Sequence, residues 1–352
     1  MSEARQERME LKPPEQAAAK RVASSRLQES MGDYGTLSRR LPGPAPDSIA
    51  KADTDRQMHM QIHSPARHRP VISSMRTRLS AMILCVPLLL LFRGLDAEAL
   101  FDAHMHYNAA DADHFTPQQI IEIMDRNDIS QAAVTSNPPR LAKRLYEASP
   151  GRILPLLGVY REAGDKQHWP ADPGLPGRIE AELAKGGWRG IGELHLFADD
   201  RHSPVFRRIV ELAGEYALPL MLHTDPAVID TLYDIAPGQP VIWAHAGTFP
   251  CPALVADYLR RYPGLFVDLS VRDERIAPGG ELQDEWFELF LAYPDRFMIG
   301  IDTFSLSRWR EYAEVAERIR RWTRQLPDDI ATRLRQGNAA AFFHRPLQDE
   351  RE

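Results

Sequence analysis

Between residues 100 and 345, short apolar runs alternate with segments of helical period, and the unit repeats eight times. Strands are expected over 101–106, 132–136, 153–160, 189–196, 219–223, 241–245, 265–270 and 297–302. The helical segments cover 116–127, about 139–147, about 177–185, 203–216, 226–235, 252–261, 281–293 and about 306–325. A further helix over 327–335 and a short helical end follow. Such alternation implies a parallel sheet, because each helix carries the chain back to start the next strand in the same direction. Eight units in about 245 residues fit a closed (β/α)8 TIM barrel, for which ~250 residues is typical. An open doubly wound sheet is the runner-up. It would usually place a glycine-rich phosphate turn after the first strand. Here that strand runs into His104-Met105-His106-Tyr107-Asn108. Thr116 before Pro117, Ser203 before Pro204 and Asp225 before Pro226 read as helix N-caps.

The strands are apolar, yet nearly every one ends in a polar residue. The first carries His104 and His106, the fourth Glu193 and His195, the fifth His223 and the sixth His245. The seventh carries Asp268 and Ser270, with Arg272 just beyond, and the eighth ends in Asp302. Side chains two apart on a strand share a face, so His104 and His106 point the same way. A parallel barrel gathers all its strand C-termini at one mouth, where active sites of this fold sit. Several imidazoles and carboxylates around one point make a transition-metal site, most simply zinc. Any one strand-end histidine is more often a hydrogen-bonded structural residue. The set His104, His106, His223 and Asp302 reads as ligands. Glu193 stands between a second-metal ligand and a partner bracing one. His195 reads as a pocket-lining residue, and Asp268 as a brace for a neighbouring histidine or loop amide.

The first hundred residues differ. Residues 1–74 are rich in Arg, Ser, Pro, Gln and Glu without sustained apolar periodicity, a composition that cannot bury a core and reads as a disordered extension. Residues 75–99 have the grammar of a secretory signal. A basic start, Met75-Arg76-Thr77-Arg78, leads into an apolar run from Leu79 to Phe92 and then the small-x-small Ala97-Glu98-Ala99. The run is short for a membrane span, which needs about 20 apolar residues, and Pro87 interrupts it. The expectation is translation from Met75, cleavage after Ala99, and an exported barrel over 100–345 in the periplasm or outside the cell. If the internal segment is not used, the protein stays in the cytoplasm. In the exported form no stable membrane span is expected after cleavage. Of the two cysteines, Cys85 and Cys251, only the second would remain, so no disulfide framework is expected. The net charge of −6, with no basic stripe interleaved with aromatics, argues against a nucleic-acid partner.

With these residues in view, the chain resembles the amidohydrolase superfamily, and most of all its amidohydrolase-related (type 2) branch. That branch includes lactone hydrolases and the aminocarboxymuconate-semialdehyde decarboxylase type. The matching pieces are Phe101-Asp102-Ala103-His104-Met105-His106, Leu220-Met221-Leu222-His223-Thr224, Trp243-Ala244-His245-Ala246-Gly247 and Gly300-Ile301-Asp302-Thr303. The tail from Gly337-Asn338 to Phe343 looks like the usual family ending. The resemblance implies a metal on His104, His106, His223 and Asp302, with His245 facing it. Many two-metal members use a modified lysine on the fourth strand. Here that strand carries Glu193, and Lys185 comes too early to serve. Some members use a glutamate there, so a second metal stays open, and one metal is the favoured count.

The expected chemistry is a metal-dependent hydrolase of a small amide, lactone or ester. Zinc lowers the pKa of water to ~7. Asp302 is the expected general base and His245 the group that polarises the carbonyl or stabilises its oxyanion. Arg272 and Arg308, in the loops after the seventh and eighth strands, are candidates to pair with a substrate carboxylate, with Arg161 a weaker one. A solvated surface position is the plainer reading of all three. Two other readings stand: a nonoxidative decarboxylase using a similar site, and a non-catalytic exported barrel that binds a ligand. A homo-oligomer is compatible with the sequence. Substrate choice lies in the loops near 107–116 and 161–176 and after Val271.

Overall fold

In a computed structural model, residues 98–344 are described; the expectations for the extension and the signal-like segment up to residue 97 lie outside them. Eight parallel strands pair in sequence order: β1 (Leu100–His106), β2 (Ile129–Thr135), β3 (Ile153–Leu157), β4 (Gly190–Leu196), β5 (Leu220–Thr224), β6 (Val241–Trp243), β7 (Leu265–Asp268) and β8 (Phe297–Met298). Main-chain bonds from Ala103 N to Ile299 O (3.0 Å) and from Asp302 N to His104 O (2.7 Å) tie the chain after β8 to β1. The sheet is thereby a nearly closed TIM barrel.

One main helix follows each strand: α1 (Pro117–Arg126), α2 (Arg140–Ala148), α3 (Leu175–Leu183), α4 (Pro204–Glu215), α5 (Pro226–Ile235), α6 (Pro252–Arg261), α7 (Asp284–Ala292) and α8 (Tyr312–Thr323). Their starts show why they form. Thr116 Oγ1 accepts from Gln119 N while Gln119 Oε1 accepts from Thr116 N, a reciprocal cap of about 1 kcal/mol. Ser203 Oγ accepts from Val205 N and Phe206 N. Asp225 holds the N-cap position of α5 but does not cap it. Its carboxylate accepts instead from Ala198 N and Thr248 Oγ1, bridging two loops at the mouth.

The core has two layers. Between sheet and helices lie Ile120, Met124, Val134, Leu194, Ile209, Leu222 and Phe290, all buried. Inside the barrel lie Phe101, Ala103, Leu154, Leu156, Met221, Ile242, Phe266 and Met298. A terminal helix (Asn338–Phe343) plugs the N-terminal end of the barrel: Phe343 stacks on Phe101 at 5.8 Å and Phe342 meets Phe266 edge-on at 4.8 Å. The opposite end is left to polar side chains.

Several boundaries differ from the sequence-based expectation: β2 starts at Ile129, β5 reaches Thr224, and four strands are shorter at the mouth. β3 ends at Leu157, β6 at Trp243, β7 at Asp268 and β8 at Met298. Past those points the residues turn to build the site and leave the ladder. The helix expected over 306–325 breaks at Glu311 into Leu306–Arg310 and α8. Glu98 also engages the barrel. Its carbonyl accepts from Arg320 Nε (3.0 Å), and its carboxylate from Arg324 Nη2 (2.9 Å) with Arg335 nearby (3.4 Å). Arg320 and Arg335 are buried, so a cut after Ala99 would take an acceptor from Arg320 and a counter-charge from Arg335.

Candidate metal centre

Two strands reach the site through an extra residue. Along β1, three steps from Asp102 to Met105 match two from Ala132 to Val134 on β2. Along β4, three steps from Ile191 to Leu194 match two from Leu220 to Leu222 on β5. Each is a one-residue bulge, which reverses the facing of every later side chain. Phe101 and Ala103 face the inner core, yet after the bulge Met105 faces the outer layer. The bulge turns His104 and His106 inward on β1, and its counterpart does the same for Glu193 and His195 on β4.

His245 and Asp302 reach the site differently. Both lie beyond their strands in left-handed backbone, φ 60° and 58°, with Ala246 at φ 52°. That region costs a non-glycine residue roughly 1–2 kcal/mol. Arginines brace both turns. Arg272 Nε donates to His245 O (2.9 Å) and its Nη2 to Gly247 O (3.2 Å). Arg308 Nε donates to Asp302 O (3.3 Å) and its Nη2 to Ile301 O. The sequence reading offered these arginines to a substrate carboxylate or to solvent; the structure places both against main-chain carbonyls. Arg161 pairs with Asp165 in its own loop. Gly300 is required by close approach: a Cβ there would lie 2.7 Å from His104 Cβ and 2.8 Å from Asp268 Oδ1.

The donors converge on Glu193. Its Oε2 lies 3.6 Å from His104 Nε2, 3.4 Å from His106 Nε2 and 3.5 Å from His195 Nε2. Its Oε1 lies 3.0 Å from His223 Nδ1 and 3.2 Å from His245 Nε2. Asp302 closes the ring, with Oδ1 3.2 Å from His106 Nε2 and 3.9 Å from His104 Nε2, and Oδ2 3.8 Å from His245 Nε2. Three groupings could hold an ion: His104, His245 and Asp302; His104, His106 and Glu193; and Glu193, His223 and His245. His223 therefore sits with Glu193 and His245, apart from the His104–His106–Asp302 edge with which the sequence reading grouped it.

The donor chemistry fits a cation. His104 turns Nδ1 to Asp268 Oδ2 at 2.8 Å, which leaves its Nε2 lone pair for the centre. His245 Nδ1 faces Ser270 Oγ at 2.9 Å and Ser270 O at 3.2 Å, with the same consequence for its Nε2. The Nε2 atoms of His104 and His106 approach to 3.2 Å. Asp302 Oδ1 is buried without a hydrogen-bond partner among the described residues. An orphaned buried carboxylate oxygen beside convergent imidazole nitrogens is a set of lone pairs that a cation satisfies. The electrostatics agree. Burial opposes protonation of His104, but the charges of Asp302, Glu193 and Asp268 outweigh it and raise its pKa well above the ordinary value. His106 is likewise pushed up to about 9 by Asp302 and Glu193 against the cost of burial. Burial also opposes ionisation of Glu193 and Asp302, yet the positive charge of His104 holds both below the usual carboxylate range.

Around the ring, Tyr160 and Trp169 fix His195. The Tyr160 hydroxyl accepts from His195 N (2.8 Å) and lies 3.1 Å from Nδ1, while Trp169 Nε1 donates to His195 O (2.8 Å). Burial drives the His195 imidazole down to about 3, so it is neutral. Asp268 takes the bracing place expected of it, accepting also from Ser270 N and Oγ.

A role for Asp102 escaped the sequence reading. Its carboxylate is fully buried and accepts from His104 N (3.1 Å), Ile301 N (2.9 Å) and the Tyr312 hydroxyl (2.9 Å). It thereby links the bulge of β1 to the turn that carries Asp302. An acid on a strand that starts in Leu100-Phe101 was its only sequence signal.

The profile of the amidohydrolase family (type 2) matches residues 101–345, well over half of the chain. The chain belongs to the amidohydrolase family. Family membership supports a hydrolase-type enzyme acting on a small molecule, and such proteins usually bind a divalent metal. A search of curated proteins finds no match. Among solved structures, this amidohydrolase is similar to an amidohydrolase from Burkholderia multivorans (18% identity over 70% of this chain and 100% of that one, TM-score 0.49). It is also similar to a probable 2-pyrone-4,6-dicarboxylic acid hydrolase from Acinetobacter baumannii (13%, 69% and 98%, TM-score 0.48). A TatD family hydrolase from Entamoeba histolytica is a further likeness (11%, 70% and 99%, TM-score 0.48). At these scores the likenesses say nothing of substrate. No helix among the described residues is long and apolar enough to cross a membrane.

Proposed function

We propose that this amidohydrolase is a metal-dependent hydrolase that cleaves a C–N or C–O bond of a small amide, lactone or ester. The observation that carries the reading is the unpartnered Asp302 Oδ1 facing His104 and His106 across the Glu193 carboxylate. His104, His106, Glu193, Asp302, His223 and His245 are the residues that would hold divalent metal, with zinc the first choice for so many imidazoles. Such a metal supplies the charge that acidifies water and polarises a carbonyl. The sequence reading favoured one ion. The division of Glu193, with Oε2 toward His104 and His106 and Oε1 toward His223 and His245, supplies donors for a second beside it.

The chain's own groups do the rest. Asp302, kept ionised and with one oxygen free, takes a proton from the attacking water and delivers it to the leaving group. His245, tied at Nδ1 by Ser270, turns the lone pair of Nε2 to the centre, which suits a metal ligand; the oxyanion role expected of it needs an N–H at that atom. His195, neutral and held by Tyr160, stands beside Glu193 and stacks on His223. For the protein produced as the sequence implies, export from a start at Met75 belongs to the same proposal, and N-terminal sequencing of the secreted chain tests it.

The deciding experiment pairs metal analysis of the purified chain with a turnover screen of lactones, esters and amides for wild type and Asp302→Asn. Turnover should fall by about 10²–10⁴ with the circular dichroism spectrum unchanged. Turnover that survives the change overturns the assigned base. Carbon dioxide release without net hydrolysis would replace the hydrolase by a decarboxylase, and a metal-free, inert protein would leave only a binding barrel.

A further inference from the structure

Four large hydrophobic side chains stand exposed among the described residues: Phe197 (47%), Phe249 (66%), Phe304 (59%) and Leu291 (42%). Leu291 lies on the outer helix α7. The three phenylalanines all lie at the barrel mouth, each close behind a residue of the centre. Phe197 is two residues past His195, Phe249 four past His245 and Phe304 two past Asp302. They come from the loops after β4, β6 and β8, alternate positions around the mouth. The Phe197 ring stands edge-on to His223, with centroids 6.3 Å apart and planes at 73°. Single exposed apolar residues are ordinary. Three aromatic side chains on one rim around a polar centre are the pattern of a ligand site, in which apolar walls bind and a few polar groups orient.

Charge points the same way. Glu193, Asp268 and Asp302 place three carboxylates under this rim. Arg272 and Arg308 spend donors on main-chain carbonyls, and Arg161 is paired with Asp165. Lys166, in the same loop as Arg161, is exposed, where water screens its charge. With their donors so engaged, none of these three arginines is aimed at a substrate carboxylate.

We infer that Phe197, Phe249 and Phe304 form an apolar collar that selects the substrate. The hydrolase would take an uncharged lactone, ester or amide bearing an alkyl or aryl group that lies against these rings. The inference rests on the proposed hydrolytic site and names the substrate class for it.

The test uses ligands that need no turnover. Binding of acetohydroxamate and octanohydroxamate to the zinc-loaded full chain is measured by calorimetry, in wild type and in the Phe197→Ser/Phe249→Ser/Phe304→Ser variant. The wild type should bind the long ligand at least about tenfold more tightly, and in the variant the ratio should fall to within about twofold. N-hydroxysuccinamic acid, which adds a carboxylate, should bind more weakly than acetohydroxamate. The thermal midpoint of the variant reports whether it has folded, and single substitutions replace it if it has not. A chain-length gain that is absent from wild type, or that persists in folded variants, overturns the collar. So does tighter binding of the carboxylated ligand. A wild type that self-associates, beside a monomeric variant with the gain intact, would make the rim a contact between copies and also overturn the collar. A chain-length gain without turnover of any lactone, ester or amide keeps the collar and removes the hydrolase. Turnover without the gain does the reverse.

Discussion

The donors on β1 and β4 and those beyond β6 and β8 arrive at one centre by opposite means. His104, His106, Glu193 and His195 lie on strands, and a single extra residue in each strand turns them inward. The ladder holds part of each segment, pairing His106 with Thr135 and His195 with His223, while His104 N, His106 N and His195 N donate to Asp102, Thr303 and Tyr160 side chains. His245 and Asp302 lie off the ladder in left-handed turns that side chains other than glycine resist. From the sheet they receive Asp302 N on His104 O and His245 N on the Asp268 carboxylate, and guanidinium groups from Arg272 and Arg308 grip their carbonyls. A barrel can thus aim a side chain by adding a residue to a strand or by ending the strand early. The second route needs external braces.

That contrast can be broken by removing what joins or supports each half. The largest effect is expected from Asp102→Ala, because Asp102 joins the β1 bulge to the Asp302 turn. The change strands His104 N, Ile301 N and the Tyr312 hydroxyl in the interior, at a cost of about 3 kcal/mol or more. Urea denaturation should show this loss, and Asp102→Asn, which keeps an acceptor, should lose clearly less. A loss below about 1 kcal/mol would mean the two halves are held independently. Next comes Arg308→Met. Freed of its brace, the Asp302 turn should relax and weaken metal binding by about 10–100-fold in a chelator competition, with thermal stability changing little. Unchanged affinity would show that the left-handed turn holds itself. Arg272→Met should have the smallest effect, a few-fold by the same measurement, because Ser270 still ties His245 Nδ1. An effect larger than that of Arg308→Met would reverse the ranking of the two turns.

How much was legible depends on the kind of feature. The eight strand–helix units were readable because burial on both faces makes apolar runs, and helix starts advertise themselves through Thr116-Pro117 and Ser203-Pro204. The site residues were readable as polar interruptions at strand ends. Their grouping was less so. The central position of Glu193 depends on the β4 bulge, whose one sequence mark is Gly192, at φ 146° with no room for a Cβ beside Met221. The arginines could not be told from surface cations, since their partners are backbone carbonyls, which every residue carries. The collar phenylalanines were invisible for the converse reason: in composition an exposed phenylalanine looks like any core residue.

The amino-acid sequence by itself determined the parallel barrel, the mouth at which its polar residues meet and the chemical types gathered there. Hydrophobic period and strand direction are local properties, and they dictate which ends share a side. Only the tertiary structure decided which oxygen of Glu193 faces which imidazole, that His104 is braced by Asp268, and that two arginines hold the turns of His245 and Asp302. Those relations join residues up to 164 positions apart, and a bulge or a left-handed turn reverses a side chain's facing without changing the pattern that specifies the strand.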